Sequence, residues 1–282
     1  MSKIEKDIEK IVASYKAPFN KTKEQVWSDI IESVENIPKI NKTRILNKNL
    51  LKFAASFIGI IALSWFLISN SYQNITTIKG ESKVIVLPDN SEITLNSDSH
   101  LSYSKLMWNF NRNIELNGEA YFSVTSGSRF KVVSPIAEVR VLGTEFNIFS
   151  RDNFYETKCY SGKVQVLHEH HKVLLTKGKA YSVDKKQNRS NQFSFDSINK
   201  KDWRNGEFYF INKNLVYVFK ELERQYNVKL VLSQNIKYRI YTGYFSNQSL
   251  EDALIGICLP MQLSFKINEN TVTVTDENKS LK

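Results

Sequence analysis

Three histidines and a glutamate stand close together in the sequence and have the side chains that a metal ion could use. They are His168, Glu169, His170 and His171. Strand alternation would place His168 and His170 on one face, as two imidazole ligands of zinc require. The same residues fall at a predicted hairpin turn, however, where polar side chains are normally solvated. We therefore expect no metal site and no cofactor.

Motifs for nucleophilic catalysis and phosphate binding are missing from the chain. The sequence has no glycine-rich phosphate loop, no C-x-x-C pair and no H-E-x-x-H helix. The two cysteines, Cys159 and Cys258, are far apart and fit buried thiols better than a disulfide framework. His100 stands alone, and no serine or cysteine has a base at an activating distance in the sequence. We expect neither an ordinary enzyme nor a small-molecule substrate.

The net charge of +10 raises the question of nucleic-acid binding. Residues 1–52 carry eleven Lys/Arg against seven Asp/Glu, and residues 69–282 carry twenty-eight against twenty-two. The positive excess is therefore spread thinly. The sequence has no stripe of basic residues with interleaved aromatic residues, which is the pattern that binds along a phosphate backbone. The distribution argues against direct nucleic-acid binding.

An uncharged apolar stretch, FAASFIGIIALSWFLI, occupies residues 53–68. With Leu50, Leu51 and Lys52 it reaches nineteen residues, or about 28 Å of helix, close to a hydrocarbon core of about 30 Å. The cations that precede it are Lys39, Lys42, Arg44, Lys48 and Lys52, with no acidic residue among them. The pattern predicts a transmembrane helix over 50–69, with the N-terminus in the cytoplasm. The remainder would then lie in the periplasm of a Gram-negative cell.

The segment before this stretch, residues 1–49, has two helical patterns. The first covers residues 3–15, and the second follows Thr22, which with Gln25 resembles a capping box. Two such short helices cannot bury their apolar stripes well against each other. One interpretation is a marginal helical hairpin lying on the membrane. The other is a helical surface that a protein partner covers, with Trp27 as its anchor.

Beyond the apolar stretch, apolar residues no longer recur with helical spacing but at every second position, as in a β-strand. About a dozen short alternating runs separated by turn residues occupy residues 75–185, and they predict a sandwich, a barrel or a wrapped β-solenoid. A polar linker is expected over 186–201. Strand and helix patterns then alternate over 202–276, which predicts a small α+β domain.

Several of these segments resemble the FecR family of sigma-factor regulators. The segments that resemble its β domain are LPDNSEITLNSDS (87–99), RNIELNGEAYFSV (112–124), VRVLGTEFNIF (139–149) and SGKVQV (161–166). The segments similar to the C-terminal module of its Bacteroidetes branch are WRNGEFYF (203–210), LVYVFKELERQYNV (215–228) and YTGYFSNQSLEDAL (241–254). That module resembles the short signalling domain of secretins and TonB-dependent transducers.

The resemblance implies an anti-sigma factor in the inner membrane. The expected fold class is a membrane-anchored multidomain chain with a short α-helical cytoplasmic segment, one transmembrane helix, an all-β periplasmic FecR domain and a small α+β C-terminal domain. A TonB-dependent outer-membrane transducer would contact the periplasmic part. An extracytoplasmic-function (ECF) sigma factor would bind the cytoplasmic helix through Trp27, Ile30, Ile31 and Val34. The alternative is an envelope scaffold or binding module without a sigma partner.

The resemblance also draws attention to the bond between Gly143 and Thr144, because some members of the family split themselves at a Gly-Thr bond. The Thr144 hydroxyl could attack the preceding carbonyl if the turn strained that peptide, and the resulting ester would hydrolyse. The alternative is a glycine that permits a tight or positive-φ turn between two strands. We favour the turn glycine.

Overall fold

The computed structural model describes residues 22–35, 48–69, 71–198 and 202–276. The chain divides into two compact units, Met1–Gly59 and Ile60–Lys282. The second unit contains every described strand.

The first described helix, α1, spans Lys23–Glu35. The backbone amide of Thr22 donates to the side-chain oxygen of Gln25 at 2.9 Å, which is one half of the predicted capping box. That bond satisfies a donor in front of the first turn and explains where the helix begins. The predicted helix over residues 3–15 lies outside the described residues.

The second helix, α2, spans Lys48–Ser69 and contains the apolar stretch. No helix in the described part of the chain is long and apolar enough to cross a membrane. The predicted transmembrane helix over 50–69 is therefore wrong, together with the membrane-anchored fold class and the inner-membrane localisation derived from it. The prediction reached nineteen residues only by counting Lys52 and the residues before it. Lys52 interrupts the apolar stretch, whose uncharged part from Phe53 to Ser69 extends about 25 Å.

Thirteen strands form the β domain. They are β1 (Tyr72–Thr77), β2 (Lys83–Val86), β3 (Glu92–Leu95), β4 (Ser99–Ser104), β5 (Arg112–Ser123), β6 (Phe130–Val133), β7 (Glu138–Val141), β8 (Glu145–Arg151), β9 (Phe154–Ser161), β10 (Lys163–His168), β11 (His171–Thr176), β12 (Lys179–Asp184) and β13 (Arg189–Ser194). Strand β13 pairs antiparallel with β12 and lies inside the predicted linker 186–201. The β domain therefore extends beyond residue 185.

Strand β5 joins two ladders of this sheet. Its first half pairs antiparallel with β4 and parallel with β6, in a ladder ordered β1-β4-β5-β6-β7-β10-β11. Its second half pairs antiparallel with β3 and β8, in a ladder ordered β2-β3-β5-β8-β9-β12-β13. Phe130 from the first ladder and Phe146 from the second both contact Phe122 of β5, with ring centroids 6.2 and 4.8 Å away. Both ladders thus share one apolar core.

The strand changes ladders at Gly118. This residue has φ +125°, a backbone conformation that residues other than glycine rarely adopt. A Cβ there would lie 2.7 Å from the Cα of Ser99 in the adjacent strand. The glycine is needed both for its backbone conformation and for the close approach of β4.

The C-terminal module follows with two small sheets and two helices. Its elements are β14 (Glu207–Asn214), α3 (Leu215–Tyr226), β15 (Lys229–Leu232), β16 (Ile240–Ser246), α4 (Leu250–Cys258), β17 (Leu263–Asn268) and β18 (Thr271–Asp276). Strands β14 and β16 pair antiparallel, while β18 pairs parallel with β15 and antiparallel with β17. Asn214 and Ser249 cap the two helices through their side chains. The module has an apolar core of its own.

Gly118→Ala should destabilise the protein by about 2–4 kcal/mol, because the new methyl group adds both backbone strain and a clash. Thermal unfolding followed by circular dichroism measures the effect. The control is Gly256→Ala, where the nearest atom to an added Cβ is 3.8 Å away and φ is not positive. Equal melting temperatures for Gly118→Ala and the unaltered protein would contradict this account of the ladder change.

Candidate functional site

The histidine cluster does not converge on a common point. His168 ends β10 and is buried, while His170 and His171 are exposed at and beyond the hairpin turn. The nearest acidic oxygen to His168 Nε2 belongs to the exposed Glu169, at 3.9 Å. Among the described residues, no group of three His, Cys, Asp or Glu side chains is arranged to hold a metal ion.

The bond between Gly143 and Thr144 lies in a closely packed connection between β7 and β8. Gly143 is required for space rather than for positive φ, since a Cβ there would lie 2.7 Å from the Cα of Ser126. Thr144 is buried, and its hydroxyl donates to the carbonyl oxygen of Lys163 at 3.1 Å. Its backbone amide and carbonyl both bond to Val124. The hydroxyl is thus held by an acceptor that cannot serve as a general base.

The predicted partner-binding residues lie on α1, in the first unit. Trp27 is exposed, with 57% of its surface accessible. The side chains of Ile30, Ile31 and Val34 lie outside the described residues. The exposed indole has the size and rigidity of an interface anchor.

The most extensive polar cluster among the described residues joins the β domain to the C-terminal module. Helix α3 buries one face in the core of its own module, with Leu215, Val218, Phe219 and Leu222. A second face, formed by Tyr217, Glu221, Arg224 and Gln225, turns to the β domain. Glu221, Arg224 and Gln225 are each at least nine-tenths buried. We refer to these three residues, together with Asn96, Glu119, Asn147 and Arg151 of the β domain, as the junction cluster.

A chain of hydrogen bonds crosses between the two parts. Gln225 donates to the side-chain oxygen of Asn96 at 3.1 Å, and Asn96 donates to Glu119 at 2.8 Å. Asn147 donates to the other carboxylate oxygen of Glu119 at 2.9 Å and accepts from the indole of Trp203 at 3.1 Å. The carboxylate of Glu119 is therefore bonded on both oxygens by residues that the C-terminal module holds in turn.

The charged members of the junction cluster are paired as well. Arg224 donates to Glu221 at 2.6 Å, and Gln225 donates to the other oxygen of that carboxylate at 2.8 Å. Arg151 donates to the backbone carbonyl of Ser97 at 2.5 Å. Buried ion pairs of this kind cost desolvation energy, and removing one partner typically destabilises a protein by about 3–5 kcal/mol. The ion pair lies within α3, so the two parts are joined by the amide side chains of Gln225 and Asn96 and by the indole of Trp203.

Aromatic contacts and outer ion pairs surround this cluster. The ring of Tyr217 lies 5.5 Å from that of Phe149 and 5.8 Å from that of Phe154. Lys220 reaches Asp152 at 2.8 Å, but both side chains are largely exposed, so this pair contributes little to stability. The junction is sealed mainly by its aromatic rings and its buried hydrogen bonds.

The pKa values of the two buried glutamates are shifted in opposite directions. Burial, and then the nearby carboxylate of Glu221, raise the pKa of Glu119 to about 7 against the opposing effects of Arg151 and the two asparagines. Burial also acts to raise the pKa of Glu221, but the guanidinium groups of Arg224 and Arg151 outweigh it and hold that pKa below its ordinary value. Glu221 thus stays ionised at neutral pH, while Glu119 lies near its titration midpoint.

Sequence reasoning missed the junction cluster. Glu221, Arg224 and Gln225 repeat with helical spacing and have the composition of a solvated helix face. Asn96 lies in a turn-type sequence that predicts nothing beyond a loop. The one local indication was the spacing of four residues between Glu221 and Gln225, which also occurs on exposed helices.

Known proteins match the same two parts of the chain. Residues 73–165 match the family described as FecR protein, and residues 207–274 match the family described as FecR, C-terminal. No curated protein matches the chain.

Two crystal structures are also similar, each of a proposed anti-sigma factor from Parabacteroides distasonis ATCC 8503, at 2.50 and 1.65 Å resolution. The first has a TM-score of 0.69 and 26% identity, covering 73% of this chain and 99% of that one. The second has a TM-score of 0.68 and 26% identity, covering 72% and 99%.

The purified full-length chain should remain a single intact species during prolonged incubation. The Thr144 hydroxyl already donates to a backbone carbonyl, and no base holds its proton. Mass spectrometry of the unaltered protein and of Thr144→Ala, both without added protease, makes the comparison. A fragment that begins at Thr144 in the unaltered protein and is missing from Thr144→Ala would establish self-cleavage.

The free energy of unfolding should fall as pH rises from about 4.5 to about 7. In that window the folded protein keeps a proton on Glu119 that the unfolded chain has released, so each pH unit costs the folded state up to about 1.4 kcal/mol. Glu119→Gln cannot titrate and should lack this component, whatever its absolute stability. Unfolding in guanidinium chloride at several pH values measures this component. Parallel pH profiles of the free energy of unfolding for the unaltered protein and Glu119→Gln would refute the raised pKa of Glu119.

Proposed function

Since the chain belongs to the FecR family of anti-sigma factors, we propose that it holds an ECF sigma factor under the control of a TonB-dependent outer-membrane transducer. The observation that carries this proposal is the presence of both FecR parts in one chain, with matches over residues 73–165 and 207–274. Both similar crystal structures are covered over 99% of their own length.

The sigma-binding element in this proposal is α1. Its apolar stripe, with Trp27, Ile30, Ile31 and Val34, has the spacing of an amphipathic helix that lies in a partner's groove. The exposure of Trp27 supports this role, because a large aromatic side chain is costly to leave in water. A sigma factor that buries this indole recovers that free energy on binding.

The signal-receiving element is the β domain together with the C-terminal module. The resemblance of the module to the short signalling domain of TonB-dependent transducers supports a transducer as its partner. The junction cluster supports a role for both parts together, since a partner that moves the module must disturb the bonds from Gln225 to Asn96 and from Trp203 to Asn147. Asn96 and Asn147 are the residues that hold Glu119 of β5.

Trp27→Ala should weaken sigma-factor binding by about 2 kcal/mol or more, which is roughly thirtyfold in affinity. The measurement is capture of the ECF sigma factor encoded nearest to the gene by the full-length chain, with a promoter of that sigma factor as a second readout. Ser28→Ala is the matched control, because Ser28 is an exposed neighbour outside the apolar stripe.

The possible results separate the two functions. Capture by the unaltered protein and by Ser28→Ala, with loss in Trp27→Ala, supports both the partner and the anchor. Equal capture by all three proteins would remove Trp27 as the anchor. Failure of the unaltered protein to capture any sigma factor would favour a binding module that has no sigma partner.

A further inference from the structure

A cleft of about 580 Å³ opens beside the junction cluster, between the β domain and the C-terminal module. The β domain contributes the end of β8, the turn that follows it and the end of β12. The module contributes the end of β14 and the first turns of α3. The volume is within the range of about 300–1,000 Å³ that is usual for ligand sites. Because both parts form its walls, any molecule bound there contacts both.

Cations outnumber carboxylates in the lining of the cleft, although Lys213, Lys220 and Arg224 are already paired with Glu156, Asp152 and Glu221. Six cations line it against two carboxylates: Arg151, Lys186, Lys213, Lys220, Arg224 and Lys237 against Asp152 and Asp184. Two of the lysines, Lys186 and Lys237, come from opposite walls, and neither has a carboxylate within ion-pair distance among the described residues. Their ammonium groups are therefore available to an anionic ligand on either side of the cleft.

The floor between these cations is aromatic. Phe149, Phe154 and Tyr217 contact one another, with ring centroids 5.5–5.9 Å apart. The ammonium group of Lys213 lies 4.4 Å from the centroid of Phe154, so the rings also hold one cation in place. Ile240 adds an exposed aliphatic side chain at the edge. The cleft therefore combines an apolar floor with a cationic rim.

The rim also carries groups that can bond to a peptide backbone. The side chain of Asn214 in this lining is already engaged, since it caps α3 and donates to the carbonyl oxygen of Lys237. Three further amide side chains line the cleft on both walls, from Asn153, Gln187 and Asn212. Each amide has a donor and an acceptor, which suits the alternating groups of an extended chain. A small inorganic anion would use the cations alone and leave the rings and most of the amides without a partner.

We propose that this cleft binds an acidic peptide segment of a partner protein. Carboxylates of the segment pair with Lys186 and Lys237, and an apolar side chain between them packs on the floor of Phe154 and Tyr217. The bound segment bridges the β domain and the module next to the junction cluster, so its binding strengthens their association. This inference goes beyond the proposed function and does not depend on whether α1 captures a sigma factor.

The test uses the full-length chain and a fluorescein-labelled peptide in which glutamates flank a single phenylalanine, followed by fluorescence anisotropy. We expect binding that weakens as salt concentration rises. The double variant Lys186→Glu/Lys237→Glu should lose about tenfold or more in affinity, since two attractive pairs become repulsive. A peptide with glutamine in place of glutamate should bind at least as weakly to the unaltered protein as the acidic peptide binds to this variant.

The matched control keeps the net charge of that variant but leaves the cleft intact. Lys105 and Lys172 are exposed and do not line the cleft, so Lys105→Glu/Lys172→Glu should bind the acidic peptide as the unaltered protein does. Equal weakening in both double variants would reduce the effect to overall charge and overturn the proposal. Melting temperatures of all the variants confirm that each one is folded.

A third peptide, with glycine in place of phenylalanine, tests the aromatic floor. The proposal requires it to bind several-fold more weakly than the acidic peptide with phenylalanine. Equal binding of these two peptides, or full competition by inorganic phosphate at millimolar concentration, would show a site for small anions and overturn the assignment to a peptide. Sigma-factor capture is measured separately, so failure here leaves the proposed function unaffected.

Discussion

Two buried carboxylates constrain the whole second unit. A carboxylate cannot be removed from water unless hydrogen bonds and cations replace its hydration. Glu119 accepts from Asn96 and Asn147 of its own β domain, and Glu221 accepts from Arg224 and Gln225 of its own helix α3. The two sets meet where Gln225 donates to Asn96. Gln225 and Asn96 thus each hold the carboxylate of their own part and also bond to each other across the boundary. The two parts therefore depend on each other although each has an apolar core of its own.

The position of Glu119 follows from the course of β5. Gly118 allows the strand to leave one ladder and enter the other, and Glu119 is the next residue. Opposite it in β8 stands Phe149, which contacts the module through Tyr217. The change of ladders thus brings a charged group and an aromatic ring to the same edge of the β domain. A backbone requirement at one glycine decides where the module docks.

This arrangement suits a regulator whose β domain and C-terminal module must respond as one body. Helix α3 of the C-terminal module is bonded to the β domain through Gln225 and Asn96, which are at least nine-tenths buried. Local opening of such a polar network is costly, because each released group would remain buried without a partner. The cleft beside the junction lies where a ligand gains contacts with both parts. Binding and junction stability are therefore linked.

Much of the second unit follows from local patterns in the sequence. Alternation predicts the short strands, because a strand with one buried face repeats every two residues. Helical spacing of apolar residues and the capping side chains of Asn214 and Ser249 account for α3 and α4, because both act within a few residues. The resemblance to the FecR family is confirmed by the matches to both parts of the chain.

The remaining features depend on residues distant in sequence, and only the tertiary structure decided them. Gly143 resembles a turn glycine, but its requirement comes from the approach of Ser126. Residues 189–194 have the composition of a linker and become a strand because β12 offers an edge for pairing. The polar face of α3 has the composition of a solvated face until Asn96 and Glu119 meet it across the junction. Local composition determines which residues are polar, whereas packing decides which polar residues are buried and with whom they pair.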